Sequence, residues 1–132
     1  MIDTGKIGAF ETVVSDANTA KTMKSGELDV FATASLVAAM EAAAVSAVKD
    51  CIDSEYTTVG GGIDIKHIAP SIVGAKITAT AEVVESDGKR ILFKVSAHDG
   101  TGIIGEGTHE RFVVNKAKFM SKAVARSESD VK

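Results

Sequence analysis

Ala32–Asp50 (ATASLVAAMEAAAVSAVKD) decides the fold. Nearly every residue in it is a good helix former, and no Gly or Pro interrupts it. At about 1.5 Å per residue the stretch predicts one helix roughly 28 Å long. Its apolar positions go all the way round and leave no clear polar face, so the helix must be covered on most sides. Val30–Val48 approaches membrane-span length with one charge, Glu41. Eight of its residues are Ala, however, and a carboxylate in mid-span costs about 2.5–3.5 kcal/mol on insertion. The reading is a helix buried in protein, with no membrane partner.

On the C-terminal side the period changes from helical to two-fold. Thr57–Ile68 carries Gly60-Gly61-Gly62 and then alternates up to His67, before Pro70 ends the run. Lys76–Glu85 alternates Ile77, Ala79, Ala81 and Val83 against Thr78, Thr80 and Glu82. Asp87-Gly88 predicts a hairpin turn into Arg90–His98. Asp99–Gly102 predicts a second turn, into a strand over Ile103–Val114. Asn115–Ala125 suits a short helix. On the N-terminal side, Gly8–Ser15 is β-rich and Asp16–Gly26 is a polar loop. Runs of one element type, without βαβ alternation, indicate an α+β fold in which a twisted antiparallel sheet curls around the helix. Residues 1–125 form one domain, and 126–132 form a charged tail. One domain of this size covers only part of the helix and leaves sheet edges open, which a homodimer would close.

The composition narrows the function. The chain has 132 residues, a formal net charge of −3 and only 5% aromatic residues. Neither a basic footprint nor stacking platforms for nucleic acid are supplied. The single Cys51 rules out an intrachain disulfide, and its presence in a cored domain fits a reducing, cytoplasmic setting. His67, His98 and His109 do not have metal-ligand spacing, so no metal site is expected. Gly100–Gly105 formally matches GxGxxG but precedes a strand pattern, so it fails the dinucleotide context.

Glu41 is the most informative residue, the one charge between Asp29 and Lys49. Unpaired, it would be desolvated and a stronger general base; the alternative is a structural salt bridge or a gap to solvent. Thr33 lies two turns earlier on roughly the same side, suited either to orient substrate or to cap the helix. His67, at a strand end, suits an acid/base or water-orienting role, or a plain structural one. Gly60 and Gly61 permit close approach by a ligand, or mark a bulge or a subunit contact.

Val30-Phe31-Ala32-Thr33-Ala34 with Glu41, Val59-Gly60-Gly61 leading to His67-Ile68-Ala69-Pro70, Ala97–Gly100 and Gly105–Arg111 occur in that order. Together they resemble the hot-dog-fold thioesterases, in particular the branch containing fluoroacetyl-CoA thioesterase. The likeness runs from about Glu11 to Phe119. It implies a central helix wrapped by a five-stranded antiparallel sheet, and active sites at the interface of a homodimer, with a tetramer as a further option. It implies an acyl-CoA substrate and no cofactor beyond the CoA that the substrate carries. The catalytic Thr, Glu and His of that branch fall on Thr33, Glu41 and His67. Its substrate-side positions fall on Phe31, Gly60 and Gly61, and Thr108–Arg111 read as structural or interfacial. The aromatic lid residue of the fluoroacetyl-specific enzyme is replaced here by Glu27. The expected mechanism has Glu41 activating water or attacking directly, Thr33 orienting Glu41 or the intermediate, His67 positioning water or helping to protonate the leaving group, and Lys66, Lys76, Lys89 or Arg90 holding CoA phosphates. The rival readings are a non-catalytic acyl-thioester binding module and a hydratase or dehydratase.

Overall fold

The computed structural model describes residues 2–131, with side chains placed through residue 128. Its elements are β1 (Ile7–Val13), α1 (Thr33–Val48), β2 (Tyr56–His67), β3 (Lys76–Ser86), β4 (Arg90–His98), β5 (Ile103–Asn115) and α2 (Lys116–Val131). A single 3₁₀ turn, Lys49–Cys51, follows α1. The strands form one antiparallel sheet in the order β1-β3-β4-β5-β2. This is an α+β hot-dog fold, with α1 lying chiefly across β1 and β3.

The alternation in the sequence sorts the two faces of the sheet. Ile77, Ala79, Ala81 and Val83 of β3 and Ile91, Phe93, Val95 and Ala97 of β4 are all buried. They meet Leu36, Met40, Ala43, Ala44 and Ala47 of α1 in one core. Gly8 sets how close α1 approaches β1, because a Cβ there would run into the Ala43 carbonyl and the Ala47 amide. The predicted turns form as their residues require. Gly88 takes φ +90°, and Asp87 Oδ1 accepts from the Lys89 and Arg90 amides.

Two features follow the expectation of a half-covered helix and an open, bulged sheet edge, and a third departs from it. First, α1 is covered on one side only: Ala34, Ala38, Val45, Ser46 and Lys49 are exposed, and Val37, Glu41 and Ala42 are half-buried. A single five-stranded sheet has one concave face, so it cannot enclose the far side of a helix. Second, β2 lies at the sheet edge, its ladder bulged between Gly60 and Gly62. Third, α2 continues past Ala125 to Val131, since Ala, Lys and Arg favour helix and no Gly or Pro stops it. Of the expected charged tail, Lys132 lies outside the described residues. Phe119, Met120 and Val124 of α2 are exposed. Among the described residues, no helix is long and apolar enough to cross a membrane.

Candidate active site

The entry to α1 is held by backbone bonds, which frees its first side chain. The Phe31 amide donates to Ser71 O at 2.9 Å and the Ala32 amide to Asn18 O at 3.0 Å. Extended Ala32 is the N-cap, and no side chain caps the helix. Thr33 is therefore not a cap. Its Oγ1 hydrogen-bonds His67 Nδ1 at 2.8 Å, joining the start of α1 to the end of β2. Thr33–Ser35 lead the helix, where backbone amides have no intrahelical acceptor and can face a ligand.

His67 is fixed from behind, because the Ile68 amide donates to Ile104 O at 2.7 Å. Burial holds its pKa below the ordinary 6.5, opposed in part by the backbone at Ala69. The ring is thus neutral at pH 7. Its Nε2 is buried and makes no hydrogen bond among the described residues. A cavity of about 300 Å³ opens beside the pair, lined by Thr33, His67, Ala20, Ser25, Val30 and the Ile68–Pro70 segment. Phe31 borders it but is itself 2% exposed and serves as core.

Glu41 is not where a lone buried base would be. Its side chain is 42% exposed, and Oε2 pairs with Arg111 Nη1 at 3.2 Å. Eight residues along a helix amount to about 12 Å, which a Thr and a Glu side chain cannot bridge directly. Within one chain, Thr33 therefore orients His67 and not Glu41, and the expected trio separates into Thr33–His67 and Glu41–Arg111. The two glycines also separate. A Cβ on Gly60 would stand 2.8 Å from Glu41 Oε2, so Gly60 makes room for the carboxylate. Gly61 lies against the Phe112 ring, which a Cβ there would strike.

Arg111 and His109 were read from sequence as structural or interfacial, and they prove to belong to the Glu41 group. Arg111 is buried, its Nε donating to Thr58 Oγ1 at 2.9 Å and Nη2 to Thr58 O at 3.0 Å. Its Nη1 faces both Glu41 and His109 Nε2. Only their strand register shows this: Gly60 pairs with Arg111 and Ile63 with His109 across β2 and β5. Buried basic residues in an alternating strand were the available signal. Of the candidate phosphate ligands, Lys76 is paired with Glu11 and Arg90 with Glu110. Cys51 packs against the core.

The sequence matches the profile of the family described as FlK, fluoroacetyl-CoA-specific thioesterase, over residues 14–117. The fluoroacetyl-CoA thioesterase of Streptantibioticus cattleyicolor is 40% identical over 94 residues, 71% of this chain and 68% of that one. The solved structure of the fluoroacetyl-CoA thioesterase FlK superposes with a TM-score of 0.89 at 34% identity, covering 95% of this chain and 97% of that one. A thioesterase-superfamily member from Thermus thermophilus superposes at 0.90 with 26% identity, covering 98% and 96%. A sheet curled on one helix is thus shared over nearly the whole chain, and the protein belongs to the family of fluoroacetyl-CoA-specific thioesterases.

Proposed function

We propose that the protein hydrolyses a short-chain acyl-CoA to the free acid and CoA. The observation that carries this reading is the 2.8 Å bond between Thr33 Oγ1 and His67 Nδ1 at the mouth of a cavity. A hydroxyl beside a neutral imidazole is an activated nucleophile. His67 Nδ1 takes the Thr33 proton as Oγ1 attacks the thioester carbon. The free amides at the start of α1 hold the carbonyl oxygen as it gains charge. The C–S bond breaks, and the imidazolium returns the proton to the CoA thiolate. Water then attacks the acyl-Thr33 ester, with neutral His67 taking its proton and passing it to Thr33 as the acid leaves. The chemistry needs no cofactor. The nucleophile is thus Thr33, where the residue types alone had favoured Glu41.

Glu41 enters through a second copy. The exposed side of α1 is apolar at Ala34, Ala38 and Val45, and the neighbouring sheet edge is open. An antiparallel pairing of two such helices about Val37 sets residue 33 of each against residue 41 of the other. The carboxylate would then lie at the mouth of the Thr33–His67 cavity and steady the imidazolium by its charge. A mutant of FlK has been solved in complex with acetyl-CoA. The segment over the cavity offers Ala20, Ser25 and Val30, with Glu27 exposed, so that segment adds no aromatic side chain to Phe31 to restrict the acyl group to fluoroacetyl.

The test is thiol release from a panel of short acyl-CoAs by wild type, Thr33→Ala, His67→Ala and Glu41→Ala. Turnover that drops by about three orders of magnitude in Thr33→Ala and His67→Ala, with the fold retained, is expected. Tight binding of acyl-CoA without release by the wild type would instead identify a binding module. Hydration of an enoyl-CoA without thiol release would identify a hydratase.

A further inference from the structure

Glu41 can serve the site only if its carboxylate points one way, and a half-exposed Glu on an Ala-rich helix has no such preference by itself. Arg111 supplies one, yet a guanidinium is also free to rotate unless its own donors are committed. Here they are. Nε and Nη2 are spent on the hydroxyl and carbonyl of Thr58, and Nη1 is shared between Glu41 Oε2 and His109 Nε2, 3.2 Å from each. Arg has no acceptor, so His109 Nε2 must be the unprotonated nitrogen. The proton then sits on Nδ1, which donates to Gly62 O at 2.7 Å. His109 is 2% exposed and its ring stacks on Phe93, with centroids 6.1 Å apart. Both ring nitrogens are satisfied in one tautomer only.

We propose that His109 is a positioning residue for hydrolysis: the lone pair on its Nε2 holds the Arg111 guanidinium in the one orientation that directs the Glu41 carboxylate. The inference rests on the proposed thioesterase reaction and on a working role for Glu41. The charged groups that face His109 are Arg111 and Glu110 on its own strand and Glu41 on α1; β2 presents the Gly62 carbonyl and β4 the uncharged Phe93 ring. Burial, reinforced by the Arg111 charge, keeps its pKa below 6.5, in keeping with a ring that stays neutral. Protonation would set an N–H against a guanidinium N–H and release the clamp.

Two substitutions separate positioning from simple support. In His109→Gln the amide oxygen stands where Nε2 stood and still accepts from Arg111. In His109→Asn the amide nitrogen stands where Nδ1 stood and keeps the bond to Gly62 O, while the acceptor for Arg111 is lost. Positioning predicts that His109→Asn lowers kcat at least about tenfold with KM within about threefold, and that His109→Gln stays within about threefold of wild type in both. The reverse order, with Asn active and Gln impaired, would show that His109 only anchors the bulge at Gly62 and would overturn the proposal. Nitrogen-15 NMR reads the same point without catalysis. The Arg111 Nη1 signal should match wild type in His109→Gln and shift in His109→Asn, with Nη2, still bonded to Thr58 O, unmoved in both. A wild-type His109 protonated on Nε2 would refute the clamp even if neither variant folds. Absence of turnover in the wild type, with the tautomer and the Arg111 signals as expected, would count against the thioesterase reading and leave the clamp standing.

Discussion

At the scale of single residues, two histidines on strands carry opposite duties because their nitrogens are treated differently. His109 has both nitrogens bonded, whereas His67 has one bonded to Thr33 and one buried without a partner among the described residues. Desolvation lowers the pKa of both. The sign follows from linkage: the folded state binds the proton less readily than the unfolded one, so both rings stay neutral as pH falls below about 6.5. The unfolded chain takes up protons first, and stability declines from that pH downward toward the folded pKa values. Activity that needs neutral His67 should survive correspondingly lower. The acidic limb of kcat/KM against pH, which reports the free enzyme, is expected to have its midpoint below 6.5. A midpoint at or above 6.5 that drops in Glu41→Ala would show a carboxylate outweighing burial at His67, whereas the lack of any acidic limb would show that His67 is not the base.

At the scale of elements, the packing of α1 depends on what β1 lacks. Gly8 lies under Ala43 and Ala47, so any side chain there meets helix backbone that cannot swing aside. Gly8→Ala should cost about 1–3 kcal/mol, the range for overpacking, read as a lowered Tm or denaturation midpoint. An unchanged midpoint would mean that α1 can ride up off β1. Such a shift would also move Thr33 away from His67, so activity should fall with stability. The element boundaries followed from local pattern. Two-fold alternation set β3 and β4, Asp87-Gly88 set the hairpin, and an unbroken run of helix formers set α1. The Glu41–Arg111 pair was not legible. It joins residues 70 apart in sequence through a strand register that no local spacing encodes.

At the scale of the whole molecule, one chain leaves a helix face and a sheet edge uncovered, and it leaves Thr33–His67 about 12 Å along the helix from Glu41. Two copies related by a two-fold axis through that face would resolve all three. Co-expression of Thr33→Ala with Glu41→Ala chains checks this. Each mixed dimer would hold one site with both residues intact, so about a quarter of wild-type turnover should return from two inactive parents. A mixture as inert as its parents would place Glu41 in the site of its own chain, or outside the reaction.

The sequence by itself determined the elements, the α+β class, the residue types at the site and, through ordered motifs spread along the chain, the family. These are local patterns or linear resemblances, and local sterics and hydrophobic periodicity suffice to produce them. Only the tertiary structure decided which site residues touch. Thr33 met His67 and not Glu41, and Arg111 and His109 came out as the groups that hold Glu41. The reason is physical: a hydrogen bond works over about 3 Å, and that distance between residues far apart in sequence is fixed by strand register and helix packing.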